Sequence, residues 1–192
     1  MAADRAAEDV ALVTRVSGGD SEAFAVLYRR YERPIFGFLY RLTNNRALAE
    51  DLLQETFTRV WVAARTFRGA RGAFRPWLYR IALNVTRSEL GRKRHSMPHV
   101  PLDDEQLLPD PESHETKAAE RIDGAGRSLV VSEAIAALPE WGREVVLLRC
   151  YDQLSFGEIS LITGAPEGTL KARFHRSVVA LRAILGTRGD GR

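Results

Sequence analysis

The 192-residue chain has one cysteine, Cys150, so an internal disulfide is excluded and a reducing compartment suits it. No apolar run approaches the ~20 residues that a membrane-spanning helix needs. The N-terminus, "MAADRAAEDVALVTRV", carries acids where a secretory leader would be basic, and it lacks a long apolar stretch. These absences point to a soluble cytoplasmic protein with no direct membrane insertion. The four histidines, His95, His99, His114 and His175, do not pair with Cys150 or with one another at metal-ligand spacing. There is no Gly-rich phosphate loop, no G-x-S-x-G and no nucleophile–base pair. The reading is therefore of a protein without metal, cofactor or catalytic residues, not an enzyme. Cys150, beside Leu147, Leu148 and Tyr151, reads as a buried thiol. Lysine is scarce too: 3 residues against 25 arginines. Arginine binds phosphate bidentately and stacks on bases, which suits nucleic acid, although codon composition gives the same bias.

What is present is unevenly charged. Residues 1–95 hold 17 Lys+Arg against 10 Asp+Glu, net +7. Residues 96–127 hold 3 against 8, net −5, and residues 128–192 hold 8 against 7, net +1. The middle stretch has four prolines, few large apolar residues and no period, so it reads as a flexible acidic linker. The expected plan is two small helical domains, 1–95 and 128–192, joined by a tether over 96–127.

Everything outside the tether has helical periodicity, and the fold class is all-α. A short amphipathic segment over 8–17 ends at Gly18-Gly19. Asp20 or Ser21 caps a second helix whose Phe24, Leu27, Tyr31, Ile35, Phe38 and Leu42 recur at three- and four-residue steps. Pro34 should kink or interrupt it. Asn44 or Asn45 caps a third helix to about Thr66, with Leu53, Phe57, Val60 and Ala64 as its buried stripe. A fourth runs from about Phe74 to Arg94. In the second domain Val130–Leu138 and Glu140–Tyr151 form helices split by Pro139.

Two segments look fit for nucleic acid. "LSFGEISLITGAPEGTLKARFHRSVVALRAIL" (154–185) reads as a helix-turn-helix: a capping box at Ser155 and Glu158, a turn at Gly164, and Pro166 opening the second helix. Leu170, Phe174, Val178, Leu181 and Leu185 form its core stripe. That leaves Gly168, Lys171, Ala172 and His175 near the helix start, the part of a recognition helix that reaches base edges. Arg173, Arg176 and Arg182 are placed for flanking phosphates. Residues 67–95 interleave Phe67, Phe74, Trp77 and Tyr79 with Arg75, Arg80, Arg87 and other cations, a pattern that suits single-stranded nucleic acid. Trp77 at helical spacing also fits a core position.

One stretch, "DLLQETFTRVW" (51–61), is acidic instead. Followed by "FRPWLYRIALN" (74–84) and, after the linker, by "LPEWGREVVLLRCYDQLSFGEISLITGAPEGTLKARFHRS" (138–177), it resembles the extracytoplasmic-function, or group 4, branch of the bacterial sigma-70 family. The resemblance covers roughly residues 10–95 and 128–186. It implies an alternative sigma factor that directs core RNA polymerase to specific promoters and aids their opening. By this resemblance Asp51, Leu52, Gln54, Glu55 and Trp61 dock on the clamp helices of the largest catalytic subunit. Arg75, Trp77, Arg80, Asn84 and Arg87 act at the −10 element, with Asn84 at the base pocket. Gly168, Lys171, Ala172, Arg173, His175 and Arg176 read the −35 element. The linker would thread the RNA path of the polymerase. The resemblance also implies an anti-sigma factor, which would hold the protein at the inner membrane if it is itself membrane-bound. Ala172 departs from the family, which often carries a small hydroxyl residue there, and Ala165 replaces a branched apolar one. Two other readings stay open: a helix-turn-helix regulator acting without core polymerase, and a sigma-mimicking interaction module.

Overall fold

The computed structural model describes residues 2–67, 74–95 and 125–189. Among them every regular element is helical: α1 (Ala2–Ser17), α2 (Ser21–Thr43), α3 (Arg46–Ala63), α4 (Phe74–His95), α5 (Ala125–Ala136), α6 (Glu140–Val146), α7 (Phe156–Thr163) and α8 (Glu167–Gly189). The linker expected over 96–127 lies outside the described residues, apart from 125–127, which open α5.

α2 and α3 start where side chains satisfy their free N–H groups. Asp20 accepts from the Ala23 N–H at 2.9 Å and starts α2. The two asparagines divide the next turn. Asn44, in the left-handed region at φ 50°, closes α2, and Asn45 accepts from the Leu48 N–H at 3.0 Å to open α3. Pro34 does not end α2. It is exposed, so the carbonyl it leaves without a donor, that of Arg30 one turn back, lies on the solvent side and the helix runs on to Thr43. α1 is longer than the 8–17 segment expected. It is pinned by Asp9, 2% exposed, which accepts from the Tyr31 hydroxyl and from Arg30. The core of this half holds Leu27, Ile35, Phe38, Leu39, Phe57, Val60, Leu78 and Leu83, all essentially buried. Each such side chain contributes about 1.5–3 kcal/mol relative to exposure.

In the second half, Pro139 caps α6. The chain then loosens into a single π turn over Leu147–Tyr151. The helix-turn-helix is built as its sequence indicates. Ser155 and Glu158 form both bonds of the capping box, and Gly164 makes the turn at φ 79°. Pro166 stands one place earlier than expected: the Leu170 N–H donates to its carbonyl at 3.0 Å, so it caps α8 and Glu167 is the first helical residue. Leu170 is buried, and Phe174 and Leu181 pack on the core. The two halves are in contact, chiefly α4 against α7 and the end of α2 against the π turn, and one apolar core runs through both.

Candidate functional site

α3 presents its candidate residues as one exposed arc. At about 100° per residue, Trp61, Gln54, Asp51 and Glu55 follow one another around the helix. All four are exposed, with Trp61 at 38%. The opposite side is held in the core by Ala49, Phe57 and Val60. Two shallow clefts flank the arc. One, of about 510 Å³, lies between α3 and α4 and is lined by Asp51, Leu52, Glu55, Val85, Ser88 and Glu89 among others. The other, of about 450 Å³, is aromatic and lined by Phe24, Tyr28, Gln54, Phe57, Thr58 and Trp61. Two expectations need correction. Leu52 is only 4% exposed and forms the floor of the first cleft, whereas Leu53, assigned to the core stripe, is half-buried. Glu55 also has a local partner, Arg59, at 2.6 Å one turn on.

α4 divides its five candidates. Arg80 and Asn84, four residues apart, lie on one exposed stripe. Trp77 is half-buried against Phe67 and Phe74, with ring centroids at 5.1 and 5.7 Å, so its ring supports the helix and only part of it meets solvent. Arg75 and Arg87 are both engaged by the second half, although Arg87, one turn beyond Asn84, shares the side of α4 that carries Arg80 and Asn84. Arg87 grips the Glu144 carboxylate with two bonds of 2.9 and 2.6 Å, and Arg75 donates to the Asp152 carbonyl. The carboxylate bonds hold the Arg87 guanidinium above its ordinary range.

α8 leaves Gly168, Lys171 and Ala172 exposed on its first turns, with His175 half-buried beyond them. Nothing lies within 4 Å of where a Cβ on Gly168 would stand, so the backbone there is open to close approach. Arg173 and Arg176 both lie over the ring of Trp141 in α6, at 5.7 and 5.5 Å. Trp141 thus gathers the two cations on a common platform. This residue escaped the sequence reading.

The sequence matches the family described as Sigma-70 region 2 over residues 27–96 and that described as Sigma-70, region 4 over residues 128–181. It is 32% identical over 186 residues to the RNA polymerase sigma-H factor of Pseudomonas aeruginosa, covering 93% of this chain and 94% of that protein. It is 34% identical over 184 residues to the ECF RNA polymerase sigma factor SigW of Bacillus subtilis, covering 90% and 94%. The chain belongs to the sigma-70 family. Its relatives place it in the extracytoplasmic-function branch, and it is an alternative sigma factor. Two solved structures share the fold. CnrH, in complex with the cytosolic domain of CnrY, is 23% identical with a TM-score of 0.70 over 94% of this chain and 98% of CnrH. The sigma factor RpoE of Bartonella quintana, in complex with the anti-sigma factor NepR, is 21% identical with a TM-score of 0.63 over 88% and 98%.

In this sigma factor Cys150, expected to be a buried thiol, is exposed on the π turn. Its surroundings still desolvate the thiol enough to push its pKa up, which disfavours the reactive thiolate. Among the described residues no His, Cys, Asp and Glu cluster is arranged to hold a metal ion, and no helix is long and apolar enough to cross a membrane. Besides Trp141, the sequence reading missed Glu144 and Asp152. Glu144 stands in the apolar run "EVVLL", one turn before Leu147 and Leu148. A carboxylate in a buried register demands a partner, and that was its visible signal.

Proposed function

We propose that this sigma factor docks on core RNA polymerase through the α3 arc of Asp51, Gln54, Glu55 and Trp61, opens the −10 element with α4, and reads the −35 element with the start of α8. The observation that carries this reading is the form of α3. A helix embedded in the core on one side offers a rigid, acidic and aromatic face on the other, between two clefts. Carboxylates repel DNA, so such a face suits the basic surface of a protein partner. Leu52 contributes the cleft floor and not a protruding contact. On α4, Arg80 and Asn84 are free to meet unpaired bases, with Trp77 bracing them, and Arg75 and Arg87 hold the strand once released from Glu144 and Asp152. On α8, Lys171, Ala172 and His175 meet base edges, Gly168 allows close approach, and Arg173 and Arg176 meet phosphates. The segment over 96–127 tethers the two domains. The factor is cytoplasmic, performs no catalysis itself, and is restrained by an anti-sigma factor, the kind of partner present in the RpoE complex.

The test is a pull-down with core polymerase, run-off transcription and a thermal melt for Asp51→Lys/Glu55→Lys. Exposed charge changes cost under about 0.5 kcal/mol of stability, so the melt should be nearly unchanged. Polymerase binding and run-off product should be lost, because like charges across an interface cost several kcal/mol. Retained binding would reduce the acidic arc to a solvated surface. Failure of the wild-type protein to support promoter-dependent run-off would favour a regulator that acts without the polymerase.

A further inference from the structure

The second domain holds two cations that no carboxylate neutralises. Arg30, Arg46, Arg59, Arg87 and Arg92 each pair with an acid. Among the described residues Arg173 and Arg176 have no such partner, although both are half-buried. They stand three residues apart on α8, and like charges at that spacing repel. What gathers them is Trp141, whose ring centroid lies 5.7 Å from one guanidinium carbon and 5.5 Å from the other. Two cations held together without a counterion are prepared for an anion, because their ordering precedes binding.

The ring stands there because α6 meets α8 closely one residue further on. Gly142 follows Trp141, Ser177 follows Arg176, and a Cβ on Gly142 would come within 2.5 Å of Ser177 Oγ. That hydroxyl is buried and donates to the Arg173 carbonyl at 2.8 Å, so it cannot swing aside without leaving a polar group unpaired. α6 has only seven residues, Glu140–Val146, so a displacement at Gly142 carries Trp141 with it. Lys171 and His175 take their position from a different contact. Leu170 is buried in the core, and the Phe174 ring meets that of Phe156 in α7 at 5.8 Å. A disturbed seam between α6 and α8 thus reaches the two arginines and spares the side of α8 turned to base edges.

We infer that Trp141 and Gly142 are positioning residues for −35 DNA. The glycine lets α6 close on Ser177, and the closed seam sets the indole against Arg173 and Arg176, so both guanidiniums meet the phosphates already ordered. Neither Trp141 nor Gly142 needs to touch the duplex. The inference rests on the −35 reading proposed for α8 and adds to it the seam that holds its phosphate contacts.

The test uses the full-length factor and a short duplex that the wild type selects from a randomised pool, beside a scrambled duplex of equal length. Gly142→Ala should weaken both duplexes alike, by about fivefold, and lower the salt dependence while base preference stays unchanged. Ser177→Ala should bind like the wild type, and Gly142→Ala in that background should recover most of the loss. In a Trp141→Leu background Gly142→Ala should cost no further affinity, because the ring that it displaces is already gone. A second measurement does not depend on how well Gly142→Ala folds. By NMR of the wild type, the Arg173 and Arg176 side-chain signals, assigned with Arg173→Lys and Arg176→Lys, should be shifted upfield by the indole and should lose that shift in Trp141→Leu. Signals that do not move in Trp141→Leu overturn the inference, as does a Gly142→Ala loss that persists without Trp141 or that Ser177→Ala fails to relieve. The −35 reading is judged apart from the seam: if Lys171→Ala binds the selected duplex as tightly as the wild type does, that reading fails, even where Gly142 and Trp141 prove coupled.

Discussion

Ser177 occupies the space that a side chain on Gly142 would need. A Cβ at Gly142 would stand 2.5 Å from Ser177 Oγ, closer than such atoms approach, while Ser177 Cβ would be an ordinary 3.6 Å away. Ser177 is 2% exposed and its hydroxyl donates to the Arg173 carbonyl at 2.8 Å. α6 and α8 are thus fitted together at one glycine. Gly142→Ala should gain up to about 1 kcal/mol from helix propensity. It should lose more, about 1–3 kcal/mol, by displacing a buried hydroxyl from its partner. In a Ser177→Ala background the obstacle is gone, so the same substitution should become stabilising. Urea unfolding of the four proteins in this cycle reads the change of sign, and equal effects in both backgrounds would refute the contact.

Tyr31 ties α1 to α2 through the buried Asp9 carboxylate. Tyr31→Phe should cost about 1–3 kcal/mol at neutral pH, by taking one donor from a buried acid that keeps only Arg30. There is a pH signature as well. Burial, followed by the Asp9 carboxylate, raises the Tyr31 pKa well above its ordinary 10.0. The folded state thus holds the phenol proton more tightly than the unfolded state does. The associated stability is complete below pH 10 and is lost as pH rises above it. Unfolding at pH 9 and at pH 11 should differ by less in Tyr31→Phe than in the wild type.

At the −35 element, base and phosphate contacts should separate. Lys171→Ala should weaken binding by about 1–3 kcal/mol and blur preference at one base position. Arg176→Ala should weaken all sequences alike and lower the salt dependence. Trp141→Leu should resemble Arg176→Ala, because it removes the ring beneath Arg173 and Arg176, and Trp141→Phe should restore part of the loss. Duplex binding at several salt concentrations checks all four proteins.

Asn84 is exposed on α4, one turn before Arg87. Asn84→Ala should leave polymerase binding and closed-complex formation nearly intact but slow promoter opening, since a flipped base loses a hydrogen-bonding partner. Permanganate footprinting should show less reactivity on duplex promoter, with rescue on a template whose −10 region is already unpaired. Absence of rescue would remove Asn84 from the base pocket.

The sequence by itself determined the helices, because their determinants are local. Asp20, Asn45 and Ser155 cap within three residues of themselves, and Gly164 supplies a backbone angle no neighbour needs to impose. The stripe of Leu27, Tyr31, Ile35 and Leu42 is periodic along one helix, so it is legible without knowing what covers it. The acidic arc on α3 was readable for the same reason. Its surroundings were not. Leu52 and Leu53 are adjacent leucines, and only the packing of α3 against α4 decided that Leu52 goes to the floor of a cleft. Pro34 carried a local signal for a break that its solvent-facing position overrode. Cys150 sat in an apolar run, yet the π turn brought it to the surface. The contacts of Arg87 with Glu144, Tyr79 with Asp152 and Trp141 with two arginines join residues 32 to 73 positions apart. Pairing at such distances leaves no period in the chain. It exists only once two separately folded faces meet, and that meeting decided which arginines of α4 are free.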